Sequence, residues 1–150
     1  NMPSYVLKPF YEGKFNPLSQ KEKMILELFK NEKENFYVIG IHKEKKDIYK
    51  LLEHEIAHGW FYTDLKYHNR VMKILKDYDI TEIKEELASM GGYHQDVLID
   101  EVHAYILDSN RKLKTKAIPQ KLFERLTENY QKALKENNAN LPKLDPINNN

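Results

Sequence analysis

The stretch that organises this sequence is Leu51-Leu52-Glu53-His54-Glu55-Ile56-Ala57-His58-Gly59-Trp60. It contains the pattern His-Glu-x-x-His, with its histidines at His54 and His58 and its glutamate at Glu55. On an α-helix, residues four positions apart lie on the same face one turn apart, so both imidazoles can reach a single ion. Glu55 is offset from that pair and can reach a water molecule on the ion rather than the ion itself. The pattern therefore predicts a zinc site with a general base beside it.

The residues around the pattern predict the secondary structure that carries it. Apolar residues recur at helical spacing, which predicts a helix with one buried side from about Asp47 to Tyr62. These apolar residues are Ile48, Leu51, Leu52, Ile56 and Ala57. A strand-like run, Phe36 to Ile41, precedes the helix. The alternative is an amphipathic helix whose two histidines are only hydrogen-bonded, without a metal.

The rest of the chain predicts a predominantly helical α+β fold. Ser19 and Glu22 form a capping box that opens a helix through about Lys30. Further helices are predicted at 68–78, from Asp79 to the Gly91-Gly92 pair, at 93–107, and from Pro119 to about Glu136. Residues 1–18, rich in proline and aromatic side chains, are expected to form an extended N-terminal arm. Residues 19–136 are expected to form one compact domain, and residues 137–150 a disordered tail.

Composition limits the classes of function. The sequence contains no cysteine, so disulfides are excluded and any zinc ligands must be histidine or carboxylate. The formal net charge of +1 argues against nucleic acid as a partner. No apolar run approaches the roughly 20 residues of a membrane span, so no membrane partner is expected. The sequence shows no signal-peptide pattern, and the cytoplasm is the default expectation. The oligomeric state stays open.

Two histidines on one helix do not complete a catalytic zinc site, which needs a third protein ligand. The best candidate is Glu101, in the stretch Ile99-Asp100-Glu101-Val102-His103-Ala104-Tyr105, where the small Ala104 allows close approach to another helix. Other candidates remain open. They are His94 or His103 as an imidazole ligand, and Asp96 or Asp100 as an aspartate ligand.

These residues resemble the gluzincins, zinc peptidases that carry His-Glu-x-x-His on one helix and a glutamate ligand on a later one. The separation between His58 and Glu101 is similar to that in the anthrax lethal factor-like and Pro-Pro endopeptidase-like catalytic domains. The resemblance covers roughly residues 36–108. It implies a compact zincin-like catalytic domain within residues 19–136, with a small sheet ahead of the active-site helix.

The same resemblance implies an activity. One Zn²⁺ per chain would be bound by His54, His58 and Glu101, and Glu55 would be the general base in the hydrolysis of a peptide bond. The substrate would be a protein or peptide, added as a further strand along the strand at residues 36–41.

The resemblance also implies an oxyanion-stabilising residue. The related families place a tyrosine about two helical turns before the glutamate ligand. In this sequence Tyr93 is eight residues before Glu101 and His94 is seven. Either side chain could therefore occupy the position, and the sequence leaves the choice open.

Two other functions remain possible. One is a zincin-like domain without turnover that acts as a binding or regulatory module. The other is a metal-free helical interaction domain that uses the basic run at residues 111–116. Asp64 and Asp108 are further candidates, as carboxylates that orient the histidine ligands.

Overall fold

The computed structural model describes residues 1–41, 48–91, 93–108, 113 and 118–137. These residues are mostly helical, with one two-stranded sheet, as the sequence predicted. The strands are β1 (Met2–Pro3) and β2 (Tyr37–Val38), and the α-helices are α1 (Lys8–Tyr11), α2 (Gln20–Phe29), α3 (Ile48–Thr63), α4 (Leu65–Lys76), α5 (Thr81–Ser89), α6 (Leu98–Leu107) and α7 (Gln120–Glu136).

Helix α3 carries the His-Glu-x-x-His pattern, and on its predicted apolar side Leu52 is buried while Leu51 and Ile56 are partly buried. The predicted first residue, Asp47, lies outside the described residues. Ala57 is completely buried, and α3 packs against both α4 and α6. Helix α7 covers α4 and α6 through Leu122 and Leu126, which are also completely buried. The histidines of α3 therefore lie against the core and close to α6.

Side chains bond to the backbone at two helix starts, and the first of these is the predicted capping box. The Ser19 hydroxyl accepts a hydrogen bond from the Glu22 backbone, and the Glu22 carboxylate accepts one from the Ser19 backbone. At α5 the Asp79 carboxylate accepts a hydrogen bond from the backbone N–H of Thr81. In both cases a side chain satisfies backbone donors that a helix start leaves unpaired.

The predicted strand over 36–41 is shorter in the structure. Only Tyr37 and Val38 form strand pairs, antiparallel to Pro3 and Met2 respectively. Beyond them, the backbone N–H of Gly40 donates to the side-chain oxygen of Asn1 at 2.6 Å. The pairing is short because the partner strand in the N-terminal segment turns into a helix after Pro3.

The N-terminal arm differs from the extended conformation that the sequence predicted. Residues 4–7 form a turn of 3-10 helix, and α1 follows directly. Pro9 lies in the first turn of α1, where its missing N–H costs no hydrogen bond, so this proline starts a helix rather than extending an arm. The segment packs on the domain, since Leu7 is buried and the Ser4 hydroxyl lies 3.3 Å from that of Tyr62 on α3.

The helix predicted over 93–107 is also shorter. A turn of 3-10 helix occupies Gln95–Val97, and α6 begins only at Leu98. His94 has extended backbone angles (φ −71°, ψ 149°) and its side chain contacts the backbone N–H of Asp96. Such local bonding by the side chain competes with helix formation at the N-terminal end.

The expected disordered tail at 137–150 lies outside the described residues, apart from Asn137 at the end of α7. Within the part of the chain that the structure describes, no helix combines the length and the apolar character that a membrane span requires.

Candidate metal centre

Helix α3 brings His54 and His58 together, as their spacing predicted. Their Nε2 atoms lie 3.1 Å apart, and the ring centroids are 4.8 Å apart with the planes nearly perpendicular. His58 is 5% exposed, so the surrounding side chains fix the position of its imidazole. A tetrahedral ion with Zn–N bonds of about 2.0–2.1 Å holds two nitrogens roughly 3.4 Å apart, which is close to this separation.

Helix α6 supplies the third group. Oε2 of Glu101 lies 3.6 Å from Nε2 of His58, and the ligand atoms of His54, His58 and Glu101 all lie within 4.8 Å of one another. The sequence therefore identified the three residues that the fold brings together. Two imidazoles and one carboxylate are a donor set typical of a catalytic zinc ion, which keeps a fourth position open.

Asp100, considered above as a rival ligand, contacts the other nitrogen of His58. Its Oδ1 lies 2.9 Å from Nδ1 of His58 and is buried. Because an ionised carboxylate can only accept hydrogen bonds, this contact favours the tautomer of His58 that bears its proton on Nδ1. The Nε2 lone pair then faces His54 and Glu101. This is the arrangement that orients a histidine for metal binding.

The other proposed ligands lie elsewhere. The side chains of His94 and Asp96 are 78% and 88% exposed and contact each other at 3.2 Å. His103 is completely buried, with Nδ1 2.8 Å from the backbone oxygen of Asp100 and Nε2 3.1 Å from the Tyr67 hydroxyl. Neither nitrogen of His103 is free to serve as a ligand.

The two histidines of α3 differ in their affinity for protons. Burial and the neighbouring His58 lower the pKa of His54 to about 4, with a smaller opposing effect from Asp108. Burial also opposes protonation of His58, but its contact with Asp100 and the nearby carboxylates Glu101 and Glu55 outweigh burial and raise its pKa. His54 is therefore neutral at pH 7, as a metal ligand must be.

The carboxylates crowd around the histidines. Burial raises the pKa of Glu101, and Asp100 and Glu55 raise it further, while His58 opposes the change. For Asp100, burial acts in the same direction, but its contacts with His103 and His58 prevail and lower its pKa. Three carboxylates in a partly buried space repel one another, and a divalent cation between Glu101 and the histidines would relieve that repulsion. The residues present therefore fit a zinc ion.

Glu55 lies on α3 between the two histidines and is partly buried. Its negative charge is among the causes that raise the pKa of four neighbours in the site. These neighbours are Tyr37, His58, Tyr93 and Glu101. The carboxylate is therefore near both the histidine–glutamate group and the tyrosines, as a general base would need to be.

Of the two candidate oxyanion donors, Tyr93 is the one that the fold places near the site. Its hydroxyl lies 2.9 Å from that of Tyr105, and the Tyr105 ring meets the His54 ring edge-on at a centroid distance of 5.1 Å. Burial, the bond to Tyr105 and the charges of Glu101 and Glu55 raise the pKa of Tyr93. Tyr93 therefore keeps its proton and can donate a hydrogen bond.

A cleft of about 470 Å³ opens on the site. Its lining includes Tyr5, Tyr37, His58, Phe61, Tyr62 and Glu101. Tyr37, which sequence reasoning did not single out, comes from β2 and packs against Gly59 of α3. Burial raises its pKa, and the charges of Glu55, Asp100 and Glu101 raise it further. The only feature of the sequence that pointed to Tyr37 was its position in the predicted strand ahead of the motif.

The two aspartates considered as orienting groups have different surroundings. The Asp64 carboxylate caps α4, accepting hydrogen bonds from the backbone N–H groups of Lys66 and Tyr67. Asp108 lies near enough to His54 to act on its pKa.

The basic run at 111–116 lies outside the described residues except for Leu113.

Comparison with known proteins gives no further identification: the chain matches no protein-family model, no curated protein and no solved structure at a significant level.

Proposed function

We propose that this chain is a zinc-dependent endopeptidase of the gluzincin type, with a zincin-like catalytic domain. The observation that carries the proposal is the convergence of His54 and His58 from α3 with Glu101 from α6. Chance proximity of three such side chains is common on surfaces, but here His58 is buried and Asp100 orients it. The adjacent cleft is lined by His58 and Glu101 and gives a peptide room to reach them.

The proposed reaction is hydrolysis of a peptide bond by water. A zinc ion held by His54, His58 and Glu101 would polarise the carbonyl group and lower the pKa of a water molecule. Glu55 accepts a proton from the attacking water as the new C–O bond forms, and it passes that proton to the amine as the C–N bond breaks. The polypeptide is thereby split into a carboxylate and an amine.

Tyr93 supplies the remaining hydrogen bond. Its hydroxyl donates to the oxyanion of the tetrahedral state, and Tyr105 holds the phenol in place through the contact between their hydroxyl groups. His94 is exposed and turned toward Asp96, so it is the weaker candidate for this role.

The test is peptide hydrolysis by the purified, zinc-loaded protein against a mixed peptide library, with products identified by mass spectrometry. Glu55→Gln should retain zinc and lose cleavage, because an amide cannot accept the proton of the water. His58→Ala should lose both zinc and cleavage. Glu53→Gln is the matched control, since it makes the same substitution two positions earlier on α3. The Glu53 charge lies near Tyr130, so this variant should cleave like the wild type.

Cleavage that survives in pure Glu55→Gln protein would contradict the assigned general base. Zinc binding without cleavage of any library peptide would instead support the non-catalytic binding module.

A further inference from the structure

Behind the proposed zinc site, a chain of polar side chains crosses the core from α4 through α6 to α3. It begins at Tyr67, passes through His103 and Asp100, and ends at His58. Tyr67 and His103 are both completely buried. A polar group in the core costs free energy unless it is paired, so each of these contacts calls for an explanation.

The direction of the hydrogen bonds follows from the chemistry of the groups. Nδ1 of His103 lies 2.8 Å from the backbone oxygen of Asp100, which can only accept, so Nδ1 carries the proton. In a neutral imidazole Nε2 is then an acceptor, and the Tyr67 hydroxyl, 3.1 Å away, donates to it. The Tyr67 hydroxyl therefore selects which nitrogen of His103 bears the proton.

The same nitrogen of His103 also faces the Asp100 side chain. Nδ1 lies 3.4 Å from Oδ1 of Asp100, the oxygen that contacts Nδ1 of His58 at 2.9 Å. The His103 ring is stacked on Phe61 of α3, with centroids 5.1 Å apart and planes 25° apart. Stacking fixes the plane of the ring, and the two hydrogen bonds fix its rotation. On the side away from His58, the Asp100 carboxylate therefore contacts a His103 ring whose position is fixed.

We propose that Tyr67 and His103 are positioning residues for zinc binding: through the hydrogen bond from His103 to its backbone oxygen they hold Asp100, whose carboxylate contacts Nδ1 of His58 and orients the ring so that Nε2 would face the metal. This inference rests on the proposed function, because it assigns the roles of residues behind the same site. Neither residue touches the substrate or the ion. Loss of an outer partner of a metal-binding histidine typically lowers metal affinity by 10–100-fold.

The first test removes one hydroxyl group. Zinc affinity of the full chain is measured by competition with a chelating indicator, and Co²⁺ is substituted for zinc to record its visible absorption spectrum, which reports ligand geometry. Tyr67→Phe should weaken zinc binding about 10-fold and change the cobalt spectrum. Tyr130→Phe is the matched control, since it removes another buried tyrosine hydroxyl of the same core, one that has no hydrogen-bond partner among the described residues, and should stay within about two-fold of wild type.

A second pair of variants keeps the inference testable if Tyr67→Phe fails to fold. His103→Asn places an amide N–H where Nδ1 stands and should retain most of the zinc affinity. His103→Leu has similar bulk but no donor, and it should weaken zinc binding by at least about 10-fold. The difference in zinc affinity between these two variants measures the contribution of the hydrogen bond from residue 103 to the Asp100 backbone, rather than that of side-chain volume.

The outcomes separate the two proposals. Zinc binding by wild type with unchanged affinity and cobalt spectrum in Tyr67→Phe and His103→Leu would overturn the positioning role and leave the proposed function intact. Absence of zinc binding by the wild type would overturn both.

Discussion

Single residues at this site serve more than one neighbour, and His58 is the clearest case. Its Nε2 faces His54 and Glu101, while its Nδ1 contacts Asp100. The sequence predicted the first of these contacts but treated Asp100 as a rival ligand. Neighbouring residues on a helix point about 100° apart, so Asp100 and Glu101 reach the same imidazole from different sides. Spacing alone does not show which of the two carboxylates would face an ion.

The choice between Tyr93 and His94 gives a test at the level of one residue. Tyr93→Phe removes only the hydroxyl that would donate to the oxyanion, so kcat should fall roughly 10²–10³-fold while zinc content stays unchanged. His94→Ala, at an exposed side chain, should keep kcat near that of the wild type. Steady-state kinetics on one library peptide would decide. A large loss in His94→Ala with none in Tyr93→Phe would reverse the assignment.

At the level of the helices, local sequence patterns predicted which helices form more accurately than where each helix begins and ends. The apolar spacing in α3 and the capping box of α2 are local signals, and both were confirmed. The start of α6 was wrong by five residues, because Tyr93 and His94 follow the helical pattern but take up contacts with Tyr105 and Asp96 instead. The contact of Tyr93 with Tyr105 depends on the tertiary structure, and that of His94 with Asp96 is a local side-chain contact that helical periodicity does not register.

Gly59 gives a prediction at the level of the element. It lies inside α3, where glycine costs about 0.5–1 kcal/mol relative to alanine. A methyl group there would meet the Tyr37 side chain at 3.5 Å, an ordinary contact. We therefore expect Gly59→Ala to raise the free energy of unfolding by about 0.5–1 kcal/mol in urea denaturation.

The matched control for Gly59→Ala is Gly91→Ala. Gly91 has space around it but a φ of +81°, which favours glycine. This substitution should lower the free energy of unfolding. Stabilisation by Gly91→Ala would contradict the left-handed backbone conformation at Gly91. Marked destabilisation by Gly59→Ala would contradict the ordinary contact between β2 and α3 at Gly59.

For the whole molecule, the candidate site depends on how distant parts of the chain pack. Helices α3 and α6 bring the ligand atoms together, α4 supplies Tyr67 behind them, and β2 supplies Tyr37 at the cleft. The sequence predicted that His54, His58 and Glu101 would come together, because the motif and Glu101 resemble a known arrangement. It did not predict Tyr37 or Tyr67 as part of the site, and it considered His103 only as a metal ligand, because the contacts of these residues arise from packing between elements. A resident ion would add its binding free energy to the stability of this arrangement.

The most direct test of the central claim is the zinc content of the purified, untagged protein, measured by elemental analysis after incubation with Zn²⁺ at neutral pH and removal of free metal. His58→Ala is measured in parallel. The account predicts close to one zinc ion per wild-type chain and almost none in His58→Ala. No bound zinc in the wild type, or equal zinc in the two proteins, would contradict the metal centre and the peptidase function built on it.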